Sequence, residues 1–194
     1  VYAVSGDGMA YIQEDLGDVV LFDMLGSDGA EDLLYAVMKL LPDLQFKGAE
    51  GLDFDICYPV KAFDRRQVMF DLNYFKYCFL KPSGLDFNEV VLQDELERFA
   101  DALSGVRRVG FMYRDFNARN VMIRDGKPCF IDFQGGMCGP IYYDVVSFIH
   151  HPRANYPAAL KERMLKCYLS ELKKYADIAE EDFRERLEKF RLLR

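Results

Sequence analysis

An aspartate and an asparagine lie five residues apart, Asp115 and Asn120, and a second aspartate, Asp132, follows twelve residues later. Between Asn120 and Asp132 come the apolar Val121-Met122-Ile123, an Asp125-Gly126 turn and Phe130-Ile131, a pattern that predicts a β-hairpin bringing the three polar residues back toward one point. Carboxylate and amide oxygens are hard ligands that suit Mg²⁺, which takes few protein ligands and keeps its other positions for phosphate oxygens and water. In that chemistry Asn120 and Asp132 hold the metal. Asp115, on the loop, accepts the proton of an attacking hydroxyl, with positioning and charge neutralisation supplying most of the rate. Any one of the three also fits an ordinary surface turn, where Asp and Asn are common. Their joint spacing, with apolar strands between, points to phosphoryl transfer.

The surrounding elements must place these residues. Segments 1–4 and 9–13, apolar around Ser5-Gly6-Asp7-Gly8, predict a hairpin, and 14–18 a polar connector. Leu33, Leu34, Val37, Leu40 and Leu41 recur at helical spacing, predicting a helix over about 31–41, capped by Ser27 or Asp28 and stopped by Pro42. Residues 47–60 have no sustained period and are expected to form a loop. The aromatics and aliphatics of 64–80 spread nearly all around a helix, which predicts a mostly buried one. A helix over about 88–103 carries Val91, Leu92, Leu96, Phe99 and Leu103 on one side and ends at Gly105. From Val109 the pattern turns to short strands, 110–113, 121–124 and 129–133, and then to helices over 142–149, 157–175 and 180–193.

The segments Tyr113-Arg114-Asp115-Phe116-Asn117-Ala118-Arg119-Asn120 and Ile131-Asp132-Phe133-Gln134-Gly135 resemble the H-x-D-x-x-x-x-N and metal-binding D-x-x motifs of the aminoglycoside phosphotransferase and choline kinase family, relatives of protein kinases. Gly139-Pro140-Ile141-Tyr142-Tyr143-Asp144-Val145 resembles the family's G-x-P-x-x-D-L/V segment, and Tyr11-Ile12-Gln13-Glu14-Asp15-Leu16-Gly17 its adenine-binding hinge. The resemblance implies an α+β fold, the mostly helical C-terminal lobe of a protein-kinase-like fold with a small residual β-hairpin from the N-terminal lobe. It implies ATP as co-substrate with Mg²⁺ and a small-molecule hydroxyl acceptor. Asp144 then buttresses the catalytic loop, and backbone atoms of Gln13, Glu14, Asp15 and Leu16 bond adenine. Tyr113 stands where the family has His, a residue of architectural role. Among the family's branches, the chain is most similar to bacterial amino-sugar kinases that phosphorylate N-acetylmuramate and N-acetylglucosamine at the anomeric hydroxyl.

Residues 1–17 hold no glycine-rich phosphate loop, strand Lys or partner-helix Glu. The expected organisation is therefore 1–17 as residual N-lobe hairpin and hinge and 18–194 as the catalytic lobe, inactive alone, with an apolar face that invites self-association. Choline, aminoglycoside or homoserine kinases of the same family remain alternatives, with Glu50, Asp53, Asp55 and Asp71 as acids that would favour a cationic acceptor. So does a nucleotide-binding module without turnover, although such a module has no physical need for the base and both metal ligands.

Substrate candidates are Asp71 and Asn73, polar on an otherwise apolar helix and so in need of a partner, and Asn117 and Arg119 beside the metal-binding Asn120. Asp144 also fits a simple helix cap. Tyr74, Phe75 and Tyr77 read as core. His150 and His151, before Pro152, read as a helix C-terminal pair favoured by the dipole rather than as metal ligands. A net charge of −7, with basic residues interspersed among acids, argues against a nucleic-acid surface. Five cysteines without metal-type spacing suggest free thiols in a reducing compartment. No apolar run reaches the roughly 18–20 residues of a membrane span, so a cytoplasmic protein is expected.

Overall fold

The computed structural model describes residues 1–106 and 110–194; Val109, where the strand pattern was expected to begin, lies outside the described residues. The chain opens with a hairpin, β1 (Ala3–Val4) and β2 (Tyr11–Ile12), in antiparallel register. Its side chains Val1, Tyr2, Val4, Met9, Tyr11 and Ile12 are all exposed. The connector that follows is pinned at its far end, where Val19 accepts the amide of Ile123 at 2.8 Å and Val20 bridges Met122.

Helix α1 (Ala30–Lys47) starts without a side-chain cap. Gly29 takes the cap position at φ 81°, a conformation open to glycine, while the Ser27 hydroxyl donates to the carbonyl of Met24 at 2.6 Å and is used there. The helix also runs through Pro42, where the sequence predicts a stop. An interior proline costs about 3 kcal/mol. The next turn offsets that cost, because Leu41 and Pro42 are buried and the amide of buried Gln45 is bonded at both ends. Gln45 Nε2 donates to the carbonyl of Ile141 at 3.0 Å, and its Oε1 accepts from Tyr168 at 2.7 Å.

Helix α2 (Arg65–Phe75) is capped by Asp64, whose carboxylate accepts the amide of Gln67 at 2.9 Å, and it continues as a π-helical turn, Lys76–Leu80. The expectation of a mostly buried helix is corrected here. Val68 and Leu72 are buried, but Phe70, Tyr74, Phe75, Tyr77 and Phe79 are 45–66% exposed. One face of α2 packs against α3 (Glu89–Ser104), and the ring of aromatics has more faces than it has neighbours. In α3, Asn88 caps the amides of Val90 and Val91, and Leu96, Ala100 and Leu103 form the buried side; Val91, expected there, is exposed.

The remaining strands make two small antiparallel sheets: β3 (Gly110–Met112) with β6 (Met137–Gly139), and β4 (Val121–Arg124) with β5 (Lys127–Phe130). Strand β6 was not anticipated, since Met137-Cys138-Gly139 is too short to show a period. A Cβ on Gly110 would stand 2.4 Å from the carbonyl oxygen of Gln45, so glycine lets β3 lie against α1. Helix α4 (Tyr142–Ile149) is buried on every side, as its all-round apolar character requires. Around it, α1 packs on α5 (Ala158–Leu172), and α6 (Glu180–Arg191) packs on α4 through Tyr142, Phe183 and Phe190. No helix among the described residues is long and apolar enough to cross a membrane, and all five cysteines are free.

Candidate active site

Two linkers run between the same two sheets. Residues 113–120 lead from β3 to β4, and residues 131–136 lead back from β5 to β6. The topology therefore lays them side by side, and two bonds join them: the amide of Ile131 donates to the carbonyl of Asn120 at 3.1 Å, and the hydroxyl of Tyr113 donates to the carbonyl of Ile131. Asp115 and Asn120 sit on the first linker. Asp132 sits on the second, two residues beyond the end of β5 rather than in the strand, with φ 67°.

The first linker is anchored from below. Tyr113, Phe116, Asn117 and Ala118 are buried, and Phe116 touches Tyr113, Phe130 and Phe148 with ring centroids 5.2–5.4 Å apart. Asp115 lies between these anchors and faces solvent. Buried Asp144 of α4 fixes the start of the loop by accepting the amides of Tyr113 at 2.8 Å and Arg114 at 2.9 Å. It makes no helix cap. Burial pushes its carboxyl up to about 6, against the two amides, which pull it down. Burial, and after it the charge of Asp132, likewise pushes the Tyr113 phenol up.

The side-chain amides of the loop are committed to its own shape. Asn117 Nδ2 donates to the carbonyl of Asp115 at 3.0 Å and to its Oδ1 at 3.1 Å, while its oxygen accepts the amide of Arg119 at 3.0 Å. Asn120 Nδ2 donates to the Asp115 carbonyl at 2.9 Å and to Oδ2 at 3.3 Å. This directs one face of Asn120 inward and leaves its oxygen without a partner among the described residues. The Asp132 carboxylate has none either. One amide oxygen and one carboxylate on joined linkers are hard donors of the kind Mg²⁺ takes. No cluster of three or more His, Cys, Asp or Glu side chains that could hold a metal occurs among the described residues.

The other predicted residues divide. Asp71 is brought to the loop, its Oδ1 accepting Arg114 Nη2 at 2.8 Å and Gln67 Nε2 at 3.1 Å, with burial pushing its carboxyl up and Arg114 opposing. Asn73 is not; it faces a shallow depression with Arg65, Arg66 and Phe70. Arg119 is exposed and makes no ion pair among the described residues. Glu14 pairs with Arg124 of β4, and the Asp15 carboxylate accepts the amide of Gly17 at 2.9 Å. Residues 13–16 make no backbone–backbone hydrogen bond among the described residues, which leaves their amides and carbonyls open. His150 and His151 are both held below the usual imidazole range, by burial first.

The sequence reading missed Arg114 and Arg194. Arg114 adopts φ 76°, pairs with Asp71 and keeps a buried Nη1 without a partner among the described residues. Its place beside Asp115 was the available signal. Arg194 stacks its guanidinium over Tyr143, 5.2 Å from the ring centroid, and lies 3.9 Å from Asp115 Oδ1; nothing in its local sequence marks it.

The sequence pattern of the phosphotransferase enzyme family matches residues 58–180. The chain is 30% identical over 151 residues to the N-acetylmuramate/N-acetylglucosamine kinase of Neisseria meningitidis serogroup B, covering 70% of this chain and 43% of that protein. It is 26% identical over 155 residues to the kinase of the same name from Pseudomonas aeruginosa, covering 75% and 44%. The chain thus spans less than half the length of either. Among solved structures it resembles an aminoglycoside-3'-phosphotransferase of type VIII (TM-score 0.57, 17% identity, 93% of this chain and 66% of that one). It also resembles the choline kinase of Cryptosporidium parvum (TM-score 0.59, 10% identity, 94% and 60%). These likenesses give the fold as the mostly helical C-terminal lobe of a protein-kinase-like fold, with small sheets.

Proposed function

From its place in the phosphotransferase enzyme family, to which this chain belongs, we propose that it forms the catalytic lobe of an ATP-dependent kinase that phosphorylates a hydroxyl of an amino sugar. The observation that supports this reading is the placement of Asp115 and Asn120 on one linker and Asp132 on the other, the two linkers being joined at Ile131. The relatives at 26–30% identity supply the acceptor class.

In this mechanism Asp115 takes the proton of the acceptor hydroxyl as its oxygen bonds to the γ-phosphorus and the bond to ADP breaks. Asn117 and Asn120 hold the Asp115 carboxylate and carbonyl in place through the bonds described above. Asn120, through its free oxygen, and Asp132 would hold Mg²⁺, which neutralises phosphate charge when bound. The open backbone groups of 13–16 suit adenine, whose edge needs one donor and one acceptor. Residues 1–17 would then act as the hinge side of the nucleotide site and 18–194 as the body that carries the chemistry. Tyr113, in the family's His position, bonds the carbonyl of Ile131 and so performs the architectural task itself.

The test is phosphate transfer from Mg-ATP in the full-length protein to N-acetylmuramate, N-acetylglucosamine, choline and an aminoglycoside, with Asp115→Asn as control. Turnover of an amino sugar, with a loss of about a hundredfold or more in the control, supports the proposal. ATP binding without turnover of any acceptor, and a control that behaves like the parent, would replace it with a nucleotide-binding module.

A further inference from the structure

A cavity opens between the first turns of α1, the bend that precedes it and the segment leading into α5. It holds about 430 Å³, within the range of small-molecule sites. None of the residues assigned to phosphoryl transfer lines it. Its walls are mostly apolar, with Leu25, Leu34, Pro157 and Leu160 among them, and only three lining side chains carry polar groups: Ser27, Glu31 and Tyr156. Two of these are committed. The Ser27 hydroxyl donates to the carbonyl of Met24 at 2.6 Å. The Glu31 carboxylate accepts the hydroxyl of Tyr35 at 2.7 Å and Nη2 of Arg163 at 2.9 and 3.1 Å.

Tyr156 is not committed. Its side chain is 5% exposed, and its hydroxyl is closed to water with no hydrogen-bond partner among the described residues. A buried hydroxyl in that state is unfavourable until something supplies a partner, and its proton calls for an acceptor. The charge of the lining is settled as well. Glu31 is its one carboxylate, no basic side chain lines it, and Arg163 from α5 already neutralises Glu31. An ionic ligand would exchange its hydration for walls that hold no free counter-charge, whereas an apolar ring gains by leaving water.

We propose that this cavity is a second ligand site, that it takes an uncharged, ring-sized apolar molecule bearing a carbonyl, and that the Tyr156 hydroxyl donates a hydrogen bond to that carbonyl. The site stands whether or not Asp115 transfers phosphate, since the two share no residue.

NMR titration of the full-length protein with acetophenone, toluene and benzylammonium tests this, in the parent, Tyr156→Phe and Ala154→Leu. Acetophenone should shift the amides of Leu25, Gly26 and Ala154 saturably, with a Kd of about 1 mM or below. Tyr156→Phe keeps the ring, and should weaken acetophenone about tenfold while toluene changes less than about twofold. Ala154→Leu, which places a larger side chain in the cavity wall, should abolish the binding of both. Benzylammonium should not saturate. Acetophenone that binds Tyr156→Phe as it binds the parent overturns the proposal, and shows a hydroxyl satisfied by water alone. No saturable shift, shifts that map elsewhere and survive Ala154→Leu, or benzylammonium binding tighter than acetophenone each overturn it too.

Discussion

The amide of Tyr113 is 2.8 Å from a carboxylate oxygen of Asp144, thirty-one residues away in the chain, and the other oxygen takes the amide of Arg114 at 2.9 Å. Helix α4 thereby grips the first peptides of the loop that carries Asp115. Asp144→Ala leaves two amides without their acceptor at a site closed to water, where each costs about 1–3 kcal/mol. Urea unfolding should show a loss of at least about 2 kcal/mol, with phosphoryl transfer falling alongside.

The same carboxylate gives a pH signature. Its folded value is raised from 3.8 to about 6 by burial, so between those values the folded protein holds a proton that the unfolded chain releases. Stability from this group is therefore full below about pH 4 and declines as pH rises to about 6, by roughly 3 kcal/mol in total. Unfolding free energies from pH 4 to pH 7 should contain this downward slope in the parent and lack it in Asp144→Asn, the difference between the two curves isolating it from other titrations.

Asn117 separates positioning from substrate contact. Its amide is fully used on Asp115 and Arg119, so Asn117→Ala should lower kcat about ten- to a hundredfold by loosening Asp115, the base proposed above. The KM for the acceptor should move less than about twofold. A large KM change with kcat preserved would return Asn117 to the role of a substrate ligand.

Gly110→Ala places a Cβ within 2.4 Å of a backbone oxygen of α1 that cannot swing aside. Thermal melting should show a destabilisation of about 1–3 kcal/mol, the range for forced overpacking. Glu14→Ala, by contrast, removes an exposed pair with Arg124 and should leave the melting temperature close to that of the parent.

How much of this was legible depends on the range of the interaction. Helices α3 to α6 and the β4–β5 hairpin follow local period and local turns, and the Asp115, Asn120 and Asp132 spacing lies within eighteen residues. Pro42 was misread because the bonds of Gln45 that carry α1 past it come from Ile141 and Tyr168, far along the chain. The burial of α2 was misread because period counts apolar residues and not the neighbours available to cover them. Arg114 and Arg194 were missed because a basic side chain gains meaning only from what the fold sets opposite it, here Asp71, Tyr143 and Asp115.

Arg114 and Asp132, one on each of the joined linkers, both hold left-handed backbone at φ 76° and 67°. Side chains with a Cβ pay on the order of 1 kcal/mol or more for that conformation, and glycine does not. Heat resistance and turnover therefore make opposite demands at these two positions. A population selected only for surviving high temperature would drift toward glycine at 114 and 132, and would shed the Asp71 clamp and the Asp132 carboxylate in doing so.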